Sequence, residues 1–321
     1  MNKKLSLVKS TLVKNFLALS TLQVVNLILP FLTLPYLTRV LGVSNYGVVV
    51  MVYSIMQLLS VICDYGFNLS ATKEISLHRS NITKINTIFS SILLIKIGLL
   101  IATLFILIVM SIFIPIVAAN KEAYLMGFGI VVGQTITPLW LFQGMEKMKY
   151  ITIVNLISKS LFTILIFVFI KNSNQFIFVP LLYSIGFILA GGVSLFFAYK
   201  EFGVTFYITK WSCITEQLKN SKQYFFSRAS VALYSSINNF VVGLFLGEYY
   251  AGIFGVAERI YIAMTIIYTP LSDAIYPHMV QKKDLKLFKK IFFTAIFFNL
   301  CLSILSFLFS NEIVYFVFGA G

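Results

Sequence analysis

A chain of 321 residues that is 59% hydrophobic and only 11% charged, with a mean hydropathy of +0.92, lacks the polar surface a soluble fold of this size requires. The net charge of +14 could point to nucleic acid, but the bases stand in alternate loops between apolar runs, which excludes that reading. Cys63, Cys213 and Cys301 are isolated, with no CxxC and no metal-ligand spacing, so they read as small apolar side chains rather than a disulfide or metal framework.

The basic start, MNKKLSLVKSTLVKNF, is followed by no small-residue cleavage site and reads as an uncleaved cytoplasmic segment. Apolar runs then predict nine membrane helices over 14–38, 46–64, 87–114, 122–142, 150–170, 176–199, 223–246, 251–274 and 289–310, each long enough to approach or exceed a hydrocarbon layer of roughly 30 Å. The expected fold is an all-α polytopic membrane protein. One set of connecting loops holds eighteen Lys and Arg residues; the other holds Arg39, Lys121 and Lys171. That asymmetry places the N-terminus in the cytoplasm. Two cytoplasmic connections are long, 68–86 and 200–222. The second carries Trp211 among alternating basic and apolar residues, suits the inner headgroups, and divides the chain into 1–200, a linker 201–222, and 223–321.

A shift of 205 residues brings the two sides of that linker into register. Leu41-Gly42 falls on Leu246-Gly247 and Gly47 on Gly252, so LGVSNYG answers LGEYYAG, each in a short turn between two helices. Both turns start from the same side, which makes this a parallel repeat about an axis along the membrane normal.

Two segments carry a resemblance. LPFLTLPYLTRVLGVSNYGVV followed by DYGFNLSATKEI, and PLWLFQGMEKMKYITIVN over 138–155, resemble the bacterial O-antigen and polysaccharide-repeat flippases of the Wzx/RfbX type. The likeness runs from about Asn15 to Gly319. It implies the fold of the multidrug/oligosaccharidyl-lipid/polysaccharide exporters, two six-helix lobes around a central cavity. It also implies an activity: carrying undecaprenyl-pyrophosphate-linked sugar repeats from the cytoplasmic to the outer leaflet. The implied partners are that lipid-linked oligosaccharide, membrane lipids and polysaccharide polymerase machinery, with no cofactor beyond a proton or sodium gradient. Twelve helices are expected of such a protein against nine read here, and NEIVYFVFGAG reads as the outer connection before a tenth. The last three helices of the second lobe are therefore expected to be lacking, which makes the chain read as a truncated product or fragment.

Polar residues inside these spans are the candidate site, since charge in hydrocarbon faces a cavity or a partner. Asn15, Gln23, Asn26 and Thr33 share one face of the first helix; Arg228, Ser235 and Asn239 share one face of the seventh. Both stripes would line a cavity between the lobes, or simply glue helices together. Lys96 and Lys159 lie deep enough to attract a pyrophosphate, with snorkelling as the alternative. Arg228, nearer the inner surface, suits substrate or phospholipid phosphate. Glu258 and Arg259 are adjacent and point about 100° apart, so each requires a partner on another helix. Asp64 is either an ion-coupling carboxylate, as Glu258 would be, or a cap on the Tyr65-Gly66-Phe67 turn. A multidrug/cation exporter of the same fold would place acids deep in the cavity, where only Glu258 lies. A polymerase or glycosyltransferase would show a DxD-like pair or clustered acid and base, and neither occurs.

Overall fold

The computed structural model describes residues 28–265 and 285–319. Within them the chain runs through helices α1 (Ile28–Leu41), α2 (Val43–Asp64), α3 (Phe67–Leu77), α4 (Ile82–Phe113) and the short α5 (Pro115–Ala119). Then follow α6 (Lys121–Ile136), α7 (Leu139–Gly144), α8 (Met148–Phe169), a 3₁₀ turn (Ser173–Ile177) and α9 (Phe178–Phe202). After an extended stretch come α10 (Trp211–Ser235), α11 (Asn238–Leu246), α12 (Glu248–Thr265), α13 (Leu285–Leu308) and α14 (Ser310–Phe318). No strand occurs among the described residues.

Among the described residues, five helices are long and apolar enough to cross a membrane, or up to seven when each of two bent pairs counts as one span. Of the nine expected spans, the first is described only from Ile28, and the eighth, expected over 251–274, is described only to Thr265 and carries Glu258 and Arg259. The outward surface agrees with lipid as the solvent. Ile101, Phe105, Ile112 and Phe113 of α4, and Ile164, Val168 and Phe169 of α8, stand exposed, an apolar belt that water would penalise.

Packing between the spans relies on close backbone approach, because lipid supplies no hydrophobic drive for helix association. The most extensive contact joins α6 to α9, where a Cβ on Gly133 would run into the Phe187 backbone. There the Ser184 hydroxyl also donates to the Met126 carbonyl at 2.6 Å.

The 205-residue repeat has a structural counterpart. Gly42 (φ 77°, ψ 163°) and Gly247 (φ 94°, ψ 171°) hold the same backbone conformation, one that glycine alone adopts readily. Each amide donates back four residues, to Thr38 and Gly243, and each carbonyl accepts from the residue four ahead, Tyr46 and Ala251. From these turns α2 and α12 run side by side and touch reciprocally. A Cβ on Gly47 would meet the Glu248 carbonyl, and one on Gly252 would meet the Val43 carbonyl. Val43 and Glu248 are themselves 205 residues apart, so the crossing is a local two-fold.

Several sequence boundaries require correction. The seventh span, expected over 223–246, begins at Trp211, so the stretch assigned to the linker is extended only over residues 203–210. Hydropathy detects the part of a helix that lies in lipid; SCITEQLKNSKQ contains good helix formers and neither Gly nor Pro, and continues the helix outside it. The same helix breaks before Asn238, bending by 44°. At the break, Ser235 and Asn238 turn their side chains onto the carbonyls of Val231 and Tyr234, competing with the ladder. The 68–86 connection is largely α3, and the ninth span is followed by helix α14, bent by 66°, where a connection was expected.

The basic loops gather at one end of the bundle. Arg79 pairs with Glu146 at 2.8 Å, Lys84 with Glu74 at 3.6 Å, and Gln217 donates to Glu74 at 2.8 Å. The two segments that carry the family resemblance meet here: the Thr72 hydroxyl contacts the Trp140 carbonyl and the Gln143 side chain, tying α3 to α7. The extended stretch is laced to α4 through reciprocal Asn86–Thr205 bonds and a Ser91–Thr209 bond at 3.0 Å.

Candidate functional site

Two adjoining cavities run among helices α1 to α9, and α12 closes one of them. The first, about 60 Å³, is bounded by α1, α2, α8, α9 and α12. The second, about 270 Å³, lies among α2, α3, α4, α6, α7, α8 and α9, nearer the basic end. Tyr53, Lys159 and Phe187 are common to both walls, so the two meet at Lys159.

Cations dominate these walls. Lys159 and Arg259 line the small cavity; Lys96 and Lys159 line the large one, where Asp64 is the single acid among the described residues. Lys96 and Asp64 form an ion pair at 3.5 Å, with side chains 3% and 19% exposed. Asp64 therefore does not act as the cap on its own turn, which closes through left-handed Tyr65 (φ 47°) and Gly66 (φ 78°). Nor does Lys96 snorkel to a headgroup: a partner on α2 holds it in the interior. Asp64 Oδ1 still lacks a hydrogen bond. An ion pair taken out of water requires further hydrogen bonds to offset its lost hydration, and Asp64 Oδ1, the oxygen that faces Lys96 Nζ at 3.5 Å, makes none.

Glu258 and Arg259 separate as adjacent helical residues must. Asn239 Nδ2 donates to Glu258 Oε2 at 2.5 Å, tying α11 to α12. Arg259 turns towards the first helices instead, with its guanidinium carbon 5.2 Å from the centroid of the Tyr53 ring. A cation over a tyrosine face contributes about 0.5–2 kcal/mol, depending on how dry the site is. Among the described residues, Arg259 is thus the cation of these walls supplied from beyond the extended stretch.

The expected stripe on the seventh helix does not form. Arg228 and Ser235 are exposed and line neither cavity, while Asn239, beyond the 44° bend, is buried against Glu258. A single 3.6-residue period cannot run through a break, which is why the three positions part. On the first helix, Thr33 lines the small cavity, its hydroxyl donating to the Leu29 and Pro30 carbonyls. Asn15, Gln23 and Asn26 lie outside the described residues.

The charged-residue search passes over most of the large cavity. Three helices each present one amide and one hydroxyl: Gln57 and Ser60 from α2, Gln134 and Thr135 from α6, Asn155 and Ser158 from α8. The usable signal was polar residues interrupting apolar runs, as in GIVVGQTITP and VNLISKS. No group of three or more His, Cys, Asp or Glu suited to a metal occurs among the described residues.

Apolar spans with a lipid-facing belt, and a charged chamber walled inside them, define a polytopic all-α membrane protein. The polysaccharide biosynthesis protein family profile matches residues 12–283, and the chain belongs to that family. A Shigella dysenteriae protein named for O-antigen transport is 28% identical over 278 residues, covering 83% of this chain and 67% of that protein. An Escherichia coli K12 protein with the same name is 29% identical over 243 residues, covering 75% of this chain and 58% of its own length. The chain thus spans about two thirds of the relatives it matches. No solved structure matches it.

Proposed function

We propose that the protein carries polyprenyl-pyrophosphate-linked oligosaccharide units across the bacterial inner membrane, from the cytoplasmic to the outer leaflet, by alternating access between two lobes. The observation that carries this reading is the chamber wall: among the described residues, Lys96, Lys159 and Arg259 stand there with one carboxylate, Asp64. A chamber of reduced dielectric with so cationic a lining favours a dianionic group and repels cations, because Coulomb terms grow as the dielectric falls. A cation exporter would require the opposite balance.

In this reading the basic end faces the cytoplasm, as the distribution of Lys and Arg favours. The pyrophosphate enters beside the Lys96–Asp64 pair and is held between Lys159 and Arg259, while its polyprenyl tail stays in lipid. Arg259 makes a bidentate phosphate contact, which its planar fork suits better than a lysine. Because Arg259 reaches across from α12, occupancy of the chamber ties the movement of the later helices to the earlier ones. Asp64, relieved of Lys96 when phosphate arrives, is the carboxylate free to take a proton or sodium ion.

The test is replacement of Lys96, Lys159 and Arg259 by Gln in the chromosomal copy, with surface polysaccharide measured at matched membrane abundance. Each single change is expected to lower surface polysaccharide several-fold. Normal surface polysaccharide in all three variants would sink the reading.

A further inference from the structure

Beyond the charged groups, the large cavity contains neutral hydrogen-bonding groups with unmet capacity. The Ser158 hydroxyl, on a residue 2% exposed, has no hydrogen-bond partner, and neither does Asn68 Oδ1; the Thr135 hydroxyl, on a residue 3% exposed, has the weakly bonding Cys63 thiol beside it. Burying such groups without full partners is unfavourable, so three helices converging them on one space calls for an occupant. We propose that this cavity is a sugar subsite, which binds one neutral pyranose ring of the substrate and so discriminates between repeat units.

The assignment rests on the transport reading above and on the chemistry of the wall. A sugar ring presents adjacent hydroxyls, each a donor and an acceptor, and a carboxamide answers such a pair with one of each. Gln57, Gln134 and Asn155 supply three carboxamides, and Thr135 and Ser158 two hydroxyls. The Tyr53 and Phe187 rings, shared with the small cavity, offer apolar faces to the C–H side of a sugar. A space of about 270 Å³ admits a single ring and excludes a whole oligosaccharide. Position agrees with chemistry: Lys159 stands where the two cavities meet, so a sugar bonded to a pyrophosphate at Lys159 falls among the amides. A site built to hydrogen-bond particular hydroxyls rejects a ring that lacks them, because its own groups are then left unpaired.

The experiment uses the full chain in lipid nanodiscs and two kinds of probe. One is farnesyl pyrophosphate; the other is a set of farnesyl-pyrophosphoryl glycosides carrying glucose, galactose, N-acetylglucosamine or N-acetylgalactosamine. At least one glycoside is expected to bind roughly tenfold tighter than the bare pyrophosphate. Thr135→Val and Ser158→Ala should each remove about three- to tenfold of that gain, leave farnesyl pyrophosphate binding unchanged, and keep or raise the thermal midpoint. Glycosides that bind no better than the bare pyrophosphate overturn the sugar subsite and leave the pyrophosphate reading standing. So does a parallel loss of both probes with stability, which marks the hydroxyls as structural. Binding of a glycoside without any binding of farnesyl pyrophosphate supports the subsite and overturns the phosphate reading. Absence of binding to either probe overturns both.

Discussion

The helix pair α1–α2 and the pair α11–α12 share one turn and differ in what they carry into the bundle. Gly42 and Gly247 adopt the same conformation, and Gly47 and Gly252 meet each other's helices reciprocally. Six residues further on the likeness ends. Where α2 has Tyr53 and Ser54, α12 has Glu258 and Arg259 at the corresponding places. The Tyr53 ring receives Arg259, and Ser54 donates to the Ser236 carbonyl at the α10 break. The repeat is therefore a scaffold that fixes how two helices cross, while the chemistry lies where the copies diverge. A backbone crossing tolerates no side-chain variety at its contact, whereas positions two turns away are free to specialise.

The largest expected effect concerns charge held on one side only. Asp64→Asn leaves Lys96 buried without compensation and should destabilise the protein by about 3 kcal/mol or more, read as a lowered thermal midpoint. Adding Lys96→Met should recover most of that loss; two purely additive losses would show that the pair is not coupled. Next come the crossing glycines. Gly47→Ala and Gly252→Ala should each cost about 2–3 kcal/mol through overpacking against a backbone carbonyl. The double variant should cost little more than either single, because one separation of α2 from α12 relieves both contacts. A loss at one glycine but not the other would break the two-fold. Gly42→Ala and Gly247→Ala should cost about 1–2 kcal/mol each, equal within error, by forcing a Cβ into a glycine-only backbone region. The smallest effect is at the point of divergence: Tyr53→Leu should cost about 1 kcal/mol through the lost cation–π contact. It should vanish in an Arg259→Met background.

Much of the architecture was legible because lipid forces it. Long apolar runs, the asymmetry of Lys and Arg, and Gly-marked turns are local signals, and they located the helices, the repeat and the family segments. What escaped was decided by contacts distant in sequence. The pairing of Lys96 with Asp64 spans two helices, and either residue alone reads as a snorkelling base or a turn cap. Arg228 and Asn239 share a face only on an unbroken helix, and Ser235 and Asn238 break it. Glu258 and Arg259 could be assigned to different partners from their 100° separation, but Asn239 and Tyr53 as those partners could not be chosen without the fold. Gln57, Gln134 and Asn155 went unnoticed because polar stripes were sought on the first and seventh helices, which the repeat relates, although each of the three interrupts an apolar run.

Binding of farnesyl pyrophosphate to the purified chain in nanodiscs tests the central claim, a cationic chamber shared between α8 and α12. The account predicts that Lys159→Gln and Arg259→Gln each weaken binding about tenfold or more, whereas Arg228→Gln, exposed and outside both cavities, leaves it unchanged. Weakened binding in Arg228→Gln with both chamber variants intact would contradict it.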